Sequence, residues 1–154
     1  MKDLKYKAAT AEDVSFIAQV YRENIHALHG NDRTEEMWLS LLEQKDCIYY
    51  IVWADVPVAW FRLEQTEQML WLDMLQVKPA FRRRGVGSYI LSVTEAIARE
   101  TGCAGVGIHT TEDNAAARGL YLSAGYEVTE IGPCTTADGI ERVGYTFQKF
   151  LPRP

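Results

Sequence analysis

Three consecutive arginines followed by two closely spaced glycines are the residues of this sequence best suited to bind an anion. The stretch comprises Arg82, Arg83, Arg84, Gly85, Val86, Gly87 and Ser88. Apolar residues recur at helical spacing from Val86 onward, which places the glycines at the start of a helix. The first backbone N–H groups of a helix lack partners within it and carry partial positive charge, and arginine stays charged near neutral pH. The stretch therefore predicts a phosphate-binding turn.

Two common phosphate motifs do not fit these residues. A Walker A loop needs a Lys-Ser or Lys-Thr pair after its last glycine, and a dinucleotide fingerprint needs a third glycine where this chain has Ile90. What remains is Arg-x-x-Gly-x-Gly after a strand that stops at Pro79, which cannot donate to a sheet ladder. The alternative is a solvated turn whose glycines serve only a tight corner, and the motif alone leaves that alternative open.

A second candidate stretch, residues 114–126, starts with a short alanine-rich helix at residues 114–123, which Gly125 closes. Tyr121 follows Asn114 by seven residues, which is two turns along one helical face. The side-chain amide of Asn114 offers both a hydrogen-bond donor and an acceptor. The alternative for Tyr121 is core packing beside Leu120 and Leu122.

Asp73 is the main candidate for a proton acceptor, because it interrupts an otherwise apolar strand at residues 69–77, where aspartate has low propensity. Burial at that position would raise its pKa toward a range useful for proton transfer. A hydrogen-bonded structural carboxylate is an equal alternative. Glu64 is the second candidate, although an exposed charge at a strand end explains that residue better.

The two stretches together resemble the motifs of the GNAT acetyltransferase superfamily, in which Gln/Arg-x-x-Gly-x-Gly/Ala cradles the pyrophosphate of acetyl-CoA. The second stretch looks like the family's Asn-x-x-Ala-x-x-Leu-Tyr-x-x-x-Gly-Phe/Tyr helix, and the resemblance covers nearly the whole chain. It implies that residues 82–88 bind the pyrophosphate, that Asn114 binds pantetheine and that Tyr121 protonates the departing CoA thiolate. It also implies that pantetheine pairs with the backbone of three central-strand residues. These are Leu75, Gln76 and Val77.

The resemblance implies an N-acetyltransferase that passes acetyl from acetyl-CoA to a primary amine of a small molecule or peptide, by direct attack in a ternary complex. Asp73 resembles an acidic residue that some polyamine-type members place there, so Asp73 or Glu64 would accept the amine proton. Two alternatives stay open: a non-catalytic acyl-CoA-binding sensor of the same fold, and an enzyme that acetylates protein N-termini or lysines. Relatives often place their C-terminal strands at dimer interfaces, so a homodimer is also open.

Length and composition bound the class of protein. The 154 residues, 47% of them apolar, suit one domain spanning residues 1–154. A formal charge of −5 argues against a nucleic-acid surface and, with one basic turn, suits an anionic cofactor and a cationic substrate. The 3 cysteines and 3 histidines show no metal-ligand spacing, so neither a metal site nor a disulfide framework is predicted. Without a signal peptide or membrane-spanning run, the expectation is a cytoplasmic protein.

The periodicities predict the elements that must position these residues, in the order β, α, α, β, β, β, α, β, α, β, β. The fold class is α/β (α+β) with one mixed sheet, and the resemblance makes it a GNAT fold of about seven strands flanked by about four helices. The helix after the central strand is long enough for a crossover, so the fifth strand should lie parallel to the central one. The loops at residues 30–34 and 132–139 are predicted to shape the acceptor pocket.

Overall fold

The computed structural model describes residues 3–152, apart from the side chains of residues 27 and 28. Helices and strands follow one another in the predicted order, with one-turn 3-10 helices at Ala11–Asp13 and Pro79–Phe81. The strands are β1 (Lys5–Ala8), β2 (Cys47–Trp53), β3 (Pro57–Thr66), β4 (Met69–Val77), β5 (Gly105–Thr111), β6 (Glu127–Thr135) and β7 (Glu141–Phe150). The helices are α1 (Val14–Leu28), α2 (Glu35–Leu42), α3 (Val86–Glu100) and α4 (Ala115–Ser123).

The seven strands form one mixed sheet in the order β1-β2-β3-β4-β5-β7-β6. The pair β4 and β5 is parallel, while the other neighbours run antiparallel. The long crossover through α3 explains the parallel pair, because parallel strands cannot be joined by a tight turn. The predicted sheet, its parallel centre and the four α-helices are confirmed.

Two hydrophobic layers cover the two faces of the sheet, because side chains alternate along each strand. Trp60 packs with the residues of α1 and α2, whereas its neighbour Phe61 packs with α3 and α4. Most of the buried side chains come from amphipathic helices or from strands of the sheet. Within residues 3–152, no helix is long and apolar enough to cross a membrane.

The loop predicted at residues 132–139 is wrong in its bounds, because β6 continues to Thr135. Gly132 pairs with Gly144, and Pro133 pairs with Val143, so the turn between β6 and β7 shrinks to residues 136–140. A proline is tolerated here because β6 lies at the edge of the sheet, where one ladder hydrogen bond can be left unmade.

Candidate active site

The central strands β4 and β5 separate partway along their length. Their parallel pairing ends at Leu72 and Ile108, although β4 continues to Val77 and β5 continues to Thr111. The far side of β4 remains paired with β3 as far as Val77. One backbone edge of β4 therefore faces an opening over residues 73–77, where no strand of the described chain pairs with it. An extended amide chain could add to such an edge as an extra strand does.

Asp73 directly follows Leu72, so it lies at the apex of this opening, where the pairing of β4 with β5 ends. It also occupies a β-bulge in the pairing of β4 with β3. Arg62 pairs with Met74 while Leu63 pairs with Leu72, so Asp73 is the extra residue in β4. A bulge leaves its residue without a cross-strand partner and re-aims the side chain. The Asp73 side chain is 23% exposed, so most of it is covered but a substrate can still contact it.

The surroundings of Asp73 raise the pKa of its carboxyl group above the ordinary value. Burial raises the pKa of Asp73 to about 6, the Arg62 charge opposes this rise, and a hydrogen bond and the charge of Glu64 add to it. Arg62 Nε lies 3.6 Å from a carboxylate oxygen of Asp73. A carboxylate with such a pKa is largely ionised at neutral pH and still accepts a proton readily, as a general base requires.

Cys47, Glu64 and Asp73 offer three potential metal-ligand atoms that lie within 4.8 Å of one another. The Arg62 guanidinium belongs to the same cluster and donates a hydrogen bond to Cys47 Sγ at 3.0 Å. This cation compensates the acidic side chains without a metal. The absence of a metal site stays a prediction.

His109 is a site residue that the sequence analysis overlooked. It is the first residue of β5 beyond the last paired position, as Asp73 is in β4, so the two residues stand on either side of the apex. The imidazole stacks on Trp71 with ring centroids 4.7 Å apart, and Nδ1 lies 3.0 Å from the Thr146 hydroxyl. These contacts orient the ring as a second candidate base. The position of His109 beside Asp73 follows from the strand register, and the spacing of residues in the sequence does not predict it.

The phosphate-binding prediction falls on the N-terminus of α3. Gly85 is its N-cap at φ 82°, and no side chain caps this helix end. Tyr89 N–H donates to Gly85 O at 3.0 Å, which leaves the N–H groups of Val86, Gly87 and Ser88 at the open end of the helix. Arg83, also with positive φ, precedes this end on an exposed turn. The end is suited to an anion, and phosphate binding stays a prediction.

Arg82 and Gln76 are tied to α1 through a buried asparagine. Asn24 accepts a hydrogen bond from Arg82 Nη2 and donates to Gln76 Oε1 and Val77 O, each at 3.1 Å. The Gln76 side chain therefore points at α1, and only its backbone is left for pantetheine. The Arg82 guanidinium anchors the basic turn to the core, while Arg84 lies over the Phe81 ring at 5.6 Å.

The two glycines of the turn serve different purposes, and this difference predicts a larger response to alanine at Gly85 than at Gly87. A Cβ at Gly85 would meet nothing within 4 Å, but the left-handed backbone disfavours any side chain. A Cβ at Gly87 would lie 2.8 Å from Leu120 Cδ2, the flexible end of a side chain. The absence of a Cβ at Gly87 therefore allows α3 to pack closely on α4. The sequence analysis had assigned this glycine to phosphate binding alone.

We expect Gly85→Ala to lower the free energy of unfolding by about 1–2 kcal/mol, because alanine is strained in the left-handed region. Gly87→Ala is expected to change it by less than about 1 kcal/mol, because the higher helix propensity of alanine offsets the displacement of Leu120. Urea denaturation of both variants and the wild type measures the difference. A Gly85→Ala variant as stable as the wild type would contradict the backbone assignment.

Tyr121 lies inside the hydrophobic core, with 6% of its surface exposed. Its ring centroid is 5.4 Å from that of Phe147 and 6.4 Å from that of Tyr126. Burial raises the pKa of Tyr121 to about 12, so the phenol stays protonated through the neutral range. The hydroxyl makes no hydrogen bond to the described residues. Packing holds the ring, and the hydroxyl is left for another role.

Asn114 precedes α4 as its N-cap, so the helix begins one residue later than predicted. Its Oδ1 accepts a hydrogen bond from Ala117 N–H at 3.2 Å. Capping uses the acceptor and leaves the amide N–H groups as donors toward a ligand. Asn114 and His109 line a surface cavity of about 460 Å³ that extends over β7 and β6 and includes Glu130.

The two loops predicted to shape the acceptor pocket contact each other. Asn31 Nδ2 donates to Ala137 O at 2.6 Å, and Asp138 N–H donates to His29 O at 3.0 Å. His29 Nε2 lies 2.6 Å from a carboxylate oxygen of Asp113, and the His29 side chain is 16% exposed. The segment after α1 is therefore held against the turn between β6 and β7, beside the cavity.

Comparison with known proteins agrees with this architecture. A sequence profile described as the acetyltransferase (GNAT) family matches residues 15–126. The chain therefore belongs to the GNAT acetyltransferase family.

The individual relatives either match only part of this chain or have low sequence identity to it. GCN5-related N-acetyltransferase 10, chloroplastic, from Arabidopsis thaliana is 34% identical over 76 residues, which span 49% of this chain and 30% of that relative. The solved structure of yncA from Salmonella typhimurium with its cofactor acetyl-CoA has a TM-score of 0.80 at 20% identity, covering 98% of this chain and 95% of that one. The ribosomal-protein-S18-alanine N-acetyltransferase from Escherichia coli has a TM-score of 0.78 at 17% identity, covering 96% and 93%. At these identities the structures establish the shared fold.

Proposed function

We propose that this protein transfers an acetyl group from acetyl-CoA to a primary amine, with both substrates bound together. The observation that carries the proposal is the opening between β4 and β5, which has Asp73 and His109 at its apex. The open end of α3 and the free donors of Asn114 stand beside the same strands. An acidic side chain, an imidazole, a free strand edge and an anion-binding helix end are the groups that such a transfer needs.

These residues would hold the donor along its length. The N–H groups at the start of α3 suit the pyrophosphate, because a helix N-terminus favours negative charge. The free edge of β4 at Leu75, Gln76 and Val77 suits the pantetheine amides, and Asn114 can donate to them from the other side. Acetyl-CoA supplies the acetyl group as a thioester. The contacts to pantetheine use backbone or neutral amide groups, so shape rather than charge would align that part of the donor.

Asp73 or His109 accepts the proton that the amine loses as its nitrogen attacks the thioester carbon. A backbone N–H of β4 near Leu75 stabilises the developing negative charge on the carbonyl oxygen. As the new carbon–nitrogen bond forms and the carbon–sulfur bond breaks, Tyr121 donates its proton to the departing sulfur. The opening positions the amine against the thioester, which contributes most of the rate. No covalent acyl-enzyme is involved.

Replacing Ser88 with glutamate is expected to weaken acetyl-CoA binding about 100-fold or more. Ser88 is exposed in the first turn of α3, and a carboxylate a few ångströms from a pyrophosphate costs about 3–4 kcal/mol near a protein surface. A glutamate in the first turn is favourable for the helix itself, so the fold is retained. Isothermal titration calorimetry with acetyl-CoA measures the affinity.

Ser92→Glu is the matched control, because Ser92 is also exposed and lies one turn further along α3. It carries the same added charge away from the helix end, so its affinity should stay close to that of the wild type. Equal affinities of the wild type and the Ser88→Glu variant would contradict the phosphate assignment.

A further inference from the structure

The hydrophobic layer beneath α1 and α2 covers only one half of its face of the sheet. The strand residues of this layer come from β2, β3 and β4. None of its described residues comes from β5, β6 or β7, whose buried residues pack instead with α3 and α4 on the opposite face. The β5–β7–β6 half of the α1/α2 face is therefore available to a ligand.

A row of three side chains crosses this half of the face, starting at the apex of the opening. His109 pairs with Thr146, and Thr146 pairs with Glu130 on the edge strand. Directly paired residues point to the same face of a sheet, and the 3.0 Å contact between His109 Nδ1 and the Thr146 hydroxyl agrees with this. Because neighbouring strands lie about 4.8 Å apart, the backbones of His109 and Glu130 are separated by about 10 Å. The row therefore leads from the reaction site to a carboxylate two strands away.

One open cavity joins the two ends of this row. It is the surface cavity of about 460 Å³ already described, and its lining includes both His109 and Glu130. Gly132 and Gly144 form a direct cross-strand pair in this lining, so two neighbouring positions contribute no side chain. A Cβ at Gly132 would meet nothing within 4 Å, so the strand borders open space there. A small molecule can therefore enter between the apex and Glu130.

The charges around this cavity favour a cation. Glu130 is exposed, it is the only acidic residue in the described lining, and no lysine or arginine lines the cavity. Arg142 lies near one end, but its Nη2 is paired with Asp138 at 2.9 Å. Arg118 lies over the Tyr145 ring, which packs on the opposite face of the sheet. A ligand in the cavity thus meets an uncompensated carboxylate at the end far from the apex.

We propose that the acceptor is a small molecule with two amines, one of which reacts at the apex while the other, still protonated, pairs with Glu130. The inference rests on the proposed acetyl transfer and names its substrate class. The side chains of His109 and Glu130 both extend into the cavity lining, so the two amines need to span less than the distance of about 10 Å between the backbones. A chain of about four or five carbon atoms is long enough. Glu130 is then a residue that determines specificity and does not touch the reacting atoms.

The first test compares acceptors that differ only in the second group. A linear five-carbon diamine is assayed beside the amino alcohol and the monoamine of the same chain length, by release of CoA thiol from acetyl-CoA. The diamine should exceed both about 5- to 10-fold in kcat/KM per amine, as expected for one ion pair at a protein surface. Added salt should reduce this preference, because it screens exposed charges. Equal or better use of the amino alcohol or the monoamine would overturn the inference.

The second test removes the carboxylate. Glu130→Gln should abolish the preference for the diamine over the amino alcohol, mainly through a higher KM for the diamine. Glu127→Gln is the matched control, because Glu127 is also exposed on β6 and pairs with Gln148, but does not line the cavity. This variant should keep the preference of the wild type. An equal loss for both acceptors in Glu130→Gln, or the same change of preference in Glu127→Gln, would overturn the inference.

Binding is also measured without turnover, by calorimetric titration of the diamine into the wild type and into Glu130→Gln. The wild type should bind the diamine about 5- to 10-fold more tightly than the variant does. Tighter binding by the wild type, with no release of CoA thiol for any amine, would overturn the proposed acetyl transfer alone. Thiol release from monoamine and diamine at equal rates, with equal binding by both proteins, would overturn the assignment of Glu130 alone.

Discussion

Replacing Tyr121 with phenylalanine is expected to lower kcat about 100-fold or more and to leave the acetyl-CoA affinity and the stability unchanged. General acid catalysis contributes about 10²–10⁴-fold, and phenylalanine cannot donate a proton to the departing thiolate. The ring would keep its contacts with Phe147 and Tyr126. Because the hydroxyl has no hydrogen-bond partner in the described residues, its removal leaves no buried group unpaired. Steady-state kinetics, calorimetry and urea denaturation measure the three quantities.

Tyr126→Phe is the matched control, and it is expected to show the opposite pattern. The Tyr126 hydroxyl donates to the buried Glu95 at 3.2 Å, so its loss should cost about 1–3 kcal/mol of stability. Turnover should stay near that of the wild type. If Tyr121→Phe kept wild-type turnover, Tyr121 would be a packing residue and the assigned acid role would be wrong.

Replacing Asp73 with asparagine is expected to lower turnover about 100-fold at neutral pH and to remove the acid limb of the pH profile. The wild-type activity should rise as the pH increases through about 6, because Asp73 accepts a proton only when it is ionised and its pKa is about 6. Asparagine keeps the size of the side chain and cannot take up the proton. The measurement is kcat/KM from pH 5 to pH 9 for both proteins.

His109→Gln separates the two candidate bases. If Asp73 is the base, this variant keeps the limb near pH 6 and Asp73→Asn loses it. An unchanged pH profile in Asp73→Asn, with the limb lost in His109→Gln, would contradict the assignment to Asp73. The variants, rather than the midpoint of the limb, identify the group.

Ionisation of Asp73 should also lower the free energy of unfolding. Folding raises the pKa of Asp73 from its ordinary 3.8 to about 6, so ionisation is harder in the folded protein. The contribution of Asp73 to stability is therefore complete below pH 3.8 and is lost as the pH rises through about 6. The free energy of unfolding of Asp73→Asn should lack that fall.

Helices, strands and their order follow from local patterns in this chain, and the sequence analysis obtained them. A run rich in Ile, Tyr and Val predicted the strand Cys47–Trp53, and an apolar stripe predicted α3. The bounds of β6 could not be predicted in this way, because Gly132 and Pro133 are typical turn residues. A strand tolerates them here because β6 lies at the edge of the sheet.

The site was only partly predictable, because much of it depends on register and on long-range contacts. Asp73 was found from its polarity within an apolar strand, but its bulge requires the pairing with β3. His109 was missed, since its place beside Asp73 exists only once β4 and β5 are aligned. The ion pair between Arg62 and Asp73 likewise depends on the register between β3 and β4. Homodimerisation and a cytoplasmic location stay predictions from the sequence.

Detection of the acetylated product tests the central claim most directly. The wild type and Ser88→Glu are incubated with acetyl-CoA and a panel of primary amines, amino acids and short peptides, and free CoA thiol and N-acetylated acceptor are quantified by mass spectrometry. Acetyl transfer predicts equal amounts of thiol and N-acetylated product from the wild type and strongly reduced amounts of both from Ser88→Glu. A folded wild type that binds acetyl-CoA yet forms no acetylated acceptor would contradict the account and favour a sensor with the same fold.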